Sequence, residues 1–248
     1  MNLKDFTLLL IRLFLGFVFF SSGLCKLADG NFGQLIGPPD LINQLAEYGL
    51  EQFGYFIAIS QVLFGTLILT QRFSIIGLIA LVPMNVSILA TTLSLDWQGT
   101  PFVNVFLLVL NLIALLYEWP ALKILLMPAG TNYETPFSIR FFPNLLMPIG
   151  IIILSILAIL FAKGGGIILN IIAAIILIAV CWNLFQKDIF TKVEKAVLIF
   201  YSITTLLIVF MKVAVSYLPT GQFSFLLAAL IGFIFYIISI GQRFLKKS

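Results

Sequence analysis

The sequence has no histidine, only two cysteines (Cys25 and Cys181) and few charges, with 14 Lys and Arg and 10 Asp and Glu among 248 residues. Each shortage excludes something. Without histidine there is no His-ligated haem, no His-based zinc or copper site and no imidazole base, and no metal site is assigned. The charged fraction is 10%, against roughly a quarter in average globular domains. A soluble fold of this length has too little charge here to cover its surface. With 61% hydrophobic residues and a mean hydropathy of +1.15, the chain is an integral membrane protein whose first partner is the lipid bilayer. The net charge of +4 and pI near 9.1 do not point to nucleic acid, because the cations fall in short loops between apolar runs, as membrane topology requires. Leu24 stands before Cys25 where a lipoprotein site needs a small residue, and no A-x-A-like site follows. The first apolar run therefore reads as a retained span rather than a signal peptide.

What is present is apolar sequence in helix-length runs. A spanning helix needs about 20 apolar residues, and eight segments approach that length: 6–28, 53–70, 74–94, 101–119, 145–162, 167–186, 195–217 and 223–242. The expected fold is an all-α polytopic membrane protein. A four-helix domain over 1–126 is followed by a linker over 127–144 and a second set of about four transmembrane helices over 145–248. With the N-terminus inside, only Lys26, Lys163 and Lys212 of the 14 cations face outward, so both termini are expected in the cytoplasm. Cys25 and Cys181 then approach opposite faces, which excludes a disulfide between them. The outer connection between the first two segments contains Gly37-Pro38-Pro39, then Asp40 placed to N-cap a short interfacial helix bearing Leu41, Leu45 and Tyr48 on one face. The proline-rich stretch 119–144 is expected to be a cytoplasmic linker, part of it amphipathic. Gly164–Gly166 reads as a turn, since no Lys-Ser/Thr follows to make a phosphate loop.

Polar residues inside lipid are costly and therefore informative. Asn104, Asn111 and Glu118 are seven apart and share a helical face, as do Arg12, Phe19 and Lys26, with Gly16 and Gly23 beside them. Pro83 is expected to kink or loosen its helix near Asn85. The depths of Arg12 and Glu118 allow a structural charge pair; they equally allow a snorkelling arginine and a hydrated glutamate. Lys26 reads as an interface anchor reaching for the headgroups, and Lys163 and Lys212 likewise. Gln61, Asn85 and Asn111 fall near mid-depth and are the candidate lining of a polar pocket for a headgroup such as a quinone ring. Taken singly, each is equally the kind of side chain that holds transmembrane helices together.

The pattern R-x3-G-x6-G-x2-K, here Arg12, Gly16, Gly23 and Lys26, resembles the first-helix signature of the DoxX family of small bacterial membrane proteins. The run PMNVSILATTLSLDWQGTPFVNVFLLVLNLIALLYEW resembles the third and fourth helices of the same family. The resemblance covers about residues 5–126; the rest of the chain extends beyond the usual four-helix member. It implies a four-helix bundle in the bacterial inner membrane, acting with protein partners in quinone-linked or redox-associated membrane chemistry. It implies no catalytic residue, and the paired cysteines of thiol-redox relatives are missing. Two rival functions remain: a membrane scaffold that recruits envelope proteins, and a carrier of lipid or small solutes.

Overall fold

The structure, a computed structural model, describes residues 1–126, 142–164, 166–217 and 224–245. The helices are α1 (Leu3–Leu27), α2 (Leu41–Ala46), α3 (Glu51–Leu69), α4 (Ser74–Ser94), α5 (Thr100–Tyr117), α6 (Trp119–Leu126), α7 (Leu146–Leu160), α8 (Gly166–Phe185), α9 (Lys192–Val209), α10 (Met211–Tyr217) and α11 (Ser224–Leu245). No strand occurs among the described residues. The chain is an all-α, multi-pass membrane protein. Among the described residues, six helices, α1, α3, α4, α5, α8 and α11, are long and apolar enough to cross a bilayer.

The other two expected segments depart from that length or composition. Helix α7 is apolar but has only 15 residues. Helix α9 opens with Lys192, Glu194 and Lys195, and it ends at Val209, with Phe210 separating it from α10. The expected continuous segment over 195–217 is thus broken. Pro83, by contrast, sits inside an unbroken α4. The short outer helix α2 forms, but the Asp40 side chain makes no cap hydrogen bond, and Tyr48 is 64% exposed. Ile42 takes its place beside Leu41 and Leu45, where Gly54 of α3 packs against them. The expected linker lies mostly outside the described residues; its described beginning is α6.

Helix α1 is the most enclosed of the spans. On one side it meets α3 at a seam of small residues. A Cβ at Gly16 would lie 3.0 Å from the Gly65 carbonyl, one at Gly23 2.5 Å from the Ala58 carbonyl, and one at Gly65 2.5 Å from the Phe20 amide nitrogen. Backbones approach this closely only where side chains are absent. On its other side α1 meets the C-terminal helices. The Tyr201 hydroxyl donates to the Leu13 carbonyl (2.9 Å), Thr7 and Tyr236 share a hydrogen bond (2.9 Å), and Phe6 stacks edge-on to Phe190 at 6.1 Å. Helix α3 joins α7 through Thr66 Oγ1, which donates to Ser155 Oγ at 2.9 Å. One hydrophobic core therefore runs from Phe6 to Val209 without a break between the two halves. Large apolar side chains on the outer faces, among them Phe102, Leu116, Ile153, Leu227 and Phe233, are exposed and meet lipid.

Candidate functional site

Helix α5 carries its polar residues inward. Asn104, Leu107, Asn111, Ala114 and Glu118 are buried at helical spacing, while Phe102, Val105, Phe106, Val109 and Leu116 face out. That inverted amphipathicity puts two amides and a carboxylate against α1 and α4 instead of against lipid.

At the N-terminal end of α1 the stripe ends in a charge cluster. Arg12 is 0% exposed and its guanidinium Nη2 donates to Glu118 Oε1 in an ion pair, with Glu118 at 4%. Beside it, the Tyr117 hydroxyl donates to Asp5 Oδ1 at 2.7 Å. Asp5 in turn caps α1: its backbone N–H donates to Asn2 Oδ1 at 2.7 Å, in a reciprocal capping box. Residues five and twelve of one helix thus bind neighbouring residues of another.

At the opposite end of α1 lies a small cavity of about 40 Å³. Its walls are Val18, Phe19, Ile88, Val103 and Leu107; its polar groups are Ser22, Lys26, Gln61, Thr92, Thr100 and Asn104; Ile36, Gly37 and Pro38 roof it. Lys26 is not an anchor reaching out to the headgroups. It is 2% exposed, and its Nζ donates to Ser22 Oγ (2.5 Å) and the Ser22 carbonyl (3.2 Å). The reason is the roof. Gly37 has φ +129, which side chains rarely adopt, and a Cβ there would lie 2.4 Å from Ser22 Oγ and 3.4 Å from Lys26 Nζ. Only glycine lets the loop close over the amine. Among the described residues Lys26 forms no ion pair. The carbonyl end of α1 offsets only ~0.3–1 kcal/mol of the charge, whereas burying an ion costs several.

The three amides expected to line a pocket divide. Gln61 is 4% exposed, lines the cavity, and its Oε1 has no hydrogen-bond partner. Asn85 and Asn111 are each 0% exposed with both amide atoms unpartnered, but neither lines this cavity. Asn104 connects the two places: it lines the cavity and its Nδ2 donates to the Asn85 carbonyl at 2.7 Å. Lys26 and Asn104 line the cavity without being among the amides expected there. The signal for Asn104 was its seven-residue spacing with Asn111; for Lys26 there was only the glycine at 37.

Arg12, Gly16, Gly23 and Lys26 therefore all have defined places, respectively an ion pair, two points of helix contact and a cavity. Residues 7–94 match the DoxX family. The DoxX match spans α1 to α4 and stops before α5, short of the residue-126 limit suggested by the resemblance. Glu118, Asn104 and Asn111 thus stand outside the matched DoxX region. No curated relative and no solved structure matches the chain.

A second charge cluster joins the C-terminal helices to the start of the chain. Glu194 is 0% exposed and pairs with Arg243, while Arg243 Nη1 donates to the Met1 carbonyl at 2.6 Å. Glu194 also closes a capping box with Thr191. Lys163 and Lys212 are exposed, unlike the buried Lys26. Cys25 and Cys181 are both free and buried.

Proposed function

We propose that this DoxX-like, multi-pass protein is a subunit of a quinone-linked or redox-associated complex in the bacterial inner membrane, with both termini cytoplasmic and with protein partners supplying the reaction centre. Within it, the cavity at the outer end of α1 is a pocket for the oxygen-bearing head of a membrane-soluble molecule, a quinone or a lipid. The observation that carries this is the pairing of a buried donor, Lys26, with an unpartnered buried acceptor, Gln61 Oε1, between apolar walls. Such a set of a few placed polar groups in an apolar pocket is what ligand sites use.

The cavity holds about three waters at ~10–15 Å³ each, which is less than a six-membered ring with its substituents. A head group therefore enters by lifting the loop that carries Gly37, and the apolar tail leaves between α4 and α5, whose Ile88, Val103 and Leu107 line the walls. The test is purification in mild detergent followed by solvent extraction and mass analysis. A quinone or lipid that co-purifies in stoichiometric amount, and is lost in Gln61→Leu, supports the pocket. A stable complex with envelope proteins and no retained small molecule would favour the scaffold reading instead.

A further inference from the structure

Lys26 goes beyond a generic head-group pocket. Its Nζ is enclosed, its two hydrogen bonds go to neutral oxygens of one residue, Ser22, and among the described residues it forms no ion pair. Two other buried charges meet an opposite charge, Arg12 with Glu118 and Glu194 with Arg243, while buried Asp5 accepts from the Tyr117 hydroxyl and the Asn2 amide. Lys26 differs from all three in that a cavity adjoins it. An ammonium has three donors, and two are used by Ser22. The third is left over beside the cavity that Lys26 lines; Gln34 Oε1, buried and likewise without a partner, stands with Lys26 Nζ close to Gly37, each 3.4 Å from where a Cβ would lie.

We propose that the cavity is an anion site, and that its ligand is a phosphate-type oxyanion whose charge is met by Lys26. The proposal rests on the reading of the cavity as a head-group pocket and selects, among head groups, the negatively charged class. Charge-assisted hydrogen bonds to an ammonium are about twice as strong as neutral ones, so the charged oxygen sits on Lys26. Gln61 Oε1, an acceptor, takes a hydroxyl of the same ligand. A lipid phosphate with a hydroxylated head and a free hydrogen phosphate both offer this pair.

The full chain, delipidated in a neutral maltoside detergent, is offered dioctanoyl phosphatidylglycerol or dioctanoylglycerol, which has the same chains and no phosphate, and retained lipid is read by native mass spectrometry. The expected result is a preference of about tenfold for the anionic lipid, abolished in Lys26→Met and kept in Lys26→Arg. Displacement by millimolar inorganic phosphate identifies the free anion as the ligand; resistance to it identifies the lipid. Should Lys26→Met not fold, the 15N resonance of Lys26 Nζ in the wild-type chain provides the second readout, and it moves with phosphatidylglycerol or phosphate and not with dioctanoylglycerol. Equal retention of the two lipids, or an unmoved resonance, overturns the proposal. Gln61-dependent retention of a short-chain quinone with no preference between the lipids overturns the anion and leaves the pocket; retention of neither lipid, phosphate nor quinone overturns both.

Discussion

The guanidinium of Arg12 and the carboxylate of Glu118 face each other across the contact between α1 and α5, at 0% and 4% exposure. Removing one partner of such a pair leaves the other buried without its match, at a cost of ~3–5 kcal/mol, whereas apolar replacement of both is often near neutral. Glu118→Met and Arg12→Met are each therefore expected to destabilise the protein strongly, and the two together to recover much of the loss. Thermal unfolding in detergent across the double-mutant cycle measures the coupling; additive effects would remove the pair from the stability argument.

Glycine substitutions should separate by place and not by helix propensity. Gly23→Ala puts a methyl 2.5 Å from the Ala58 carbonyl and 2.9 Å from the Val62 nitrogen, both backbone atoms that cannot turn aside. Prising α1 from α3 should cost about 1–3 kcal/mol. Gly150→Ala in α7 meets nothing within 4 Å and should gain up to ~1 kcal/mol. Equal melting temperatures for the two variants would contradict the packed seam.

Both cysteines should resist alkylation in the folded protein and react after unfolding. Cys25 is 1% exposed and Cys181 8%, and both are free. Intact mass under non-reducing conditions should show no label on brief treatment in mild detergent and two labels in denaturant. One rapidly labelled thiol, or an intramolecular disulfide, would be incompatible with their positions.

The proposed orientation follows from the distribution of cations, with Lys26, Lys163 and Lys212 the three of 14 assigned outside. Reporter fusions after Asn31 should report outside and fusions after Lys187 inside. The reverse pair of results would invert the membrane placement and put the Lys26 cavity at the cytoplasmic side.

Helix positions were legible because hydrophobic runs of fixed length leave few alternatives in lipid. The seven-residue spacing of Asn104, Asn111 and Glu118 likewise announced the inward face of α5, since side chains seven apart stack on one side of a helix. What periodicity cannot express is contact between elements distant in sequence. Lys26 looked like an anchor because a lysine in the last turn of a span ordinarily reaches water; a loop ten residues further on encloses it instead. The linker marks off two sets of helices in the sequence, but nothing in it announces that Tyr201, Tyr236 and Ser155 bind back onto α1 and α3. The capping patterns Asn2–Asp5 and Thr191–Glu194 were present in the sequence, and both acidic members prove to serve a second partner.

The enclosure of α1 on two sides sets an order of events during synthesis. Helix α1 leaves the ribosome before the helices it packs on, and Tyr201 and Tyr236, which bind the Leu13 carbonyl and Thr7, follow those partners by 188 and 229 residues. At ~5–20 residues per second, the interval between Thr7 and Tyr236 is on the order of 10–45 s. During that time one flank of α1 has only lipid, or a chaperone of the insertion machinery, for company. Release of the chain before α11 is complete leaves that flank bare, so truncation from the C-terminus should be felt first at the N-terminal helix.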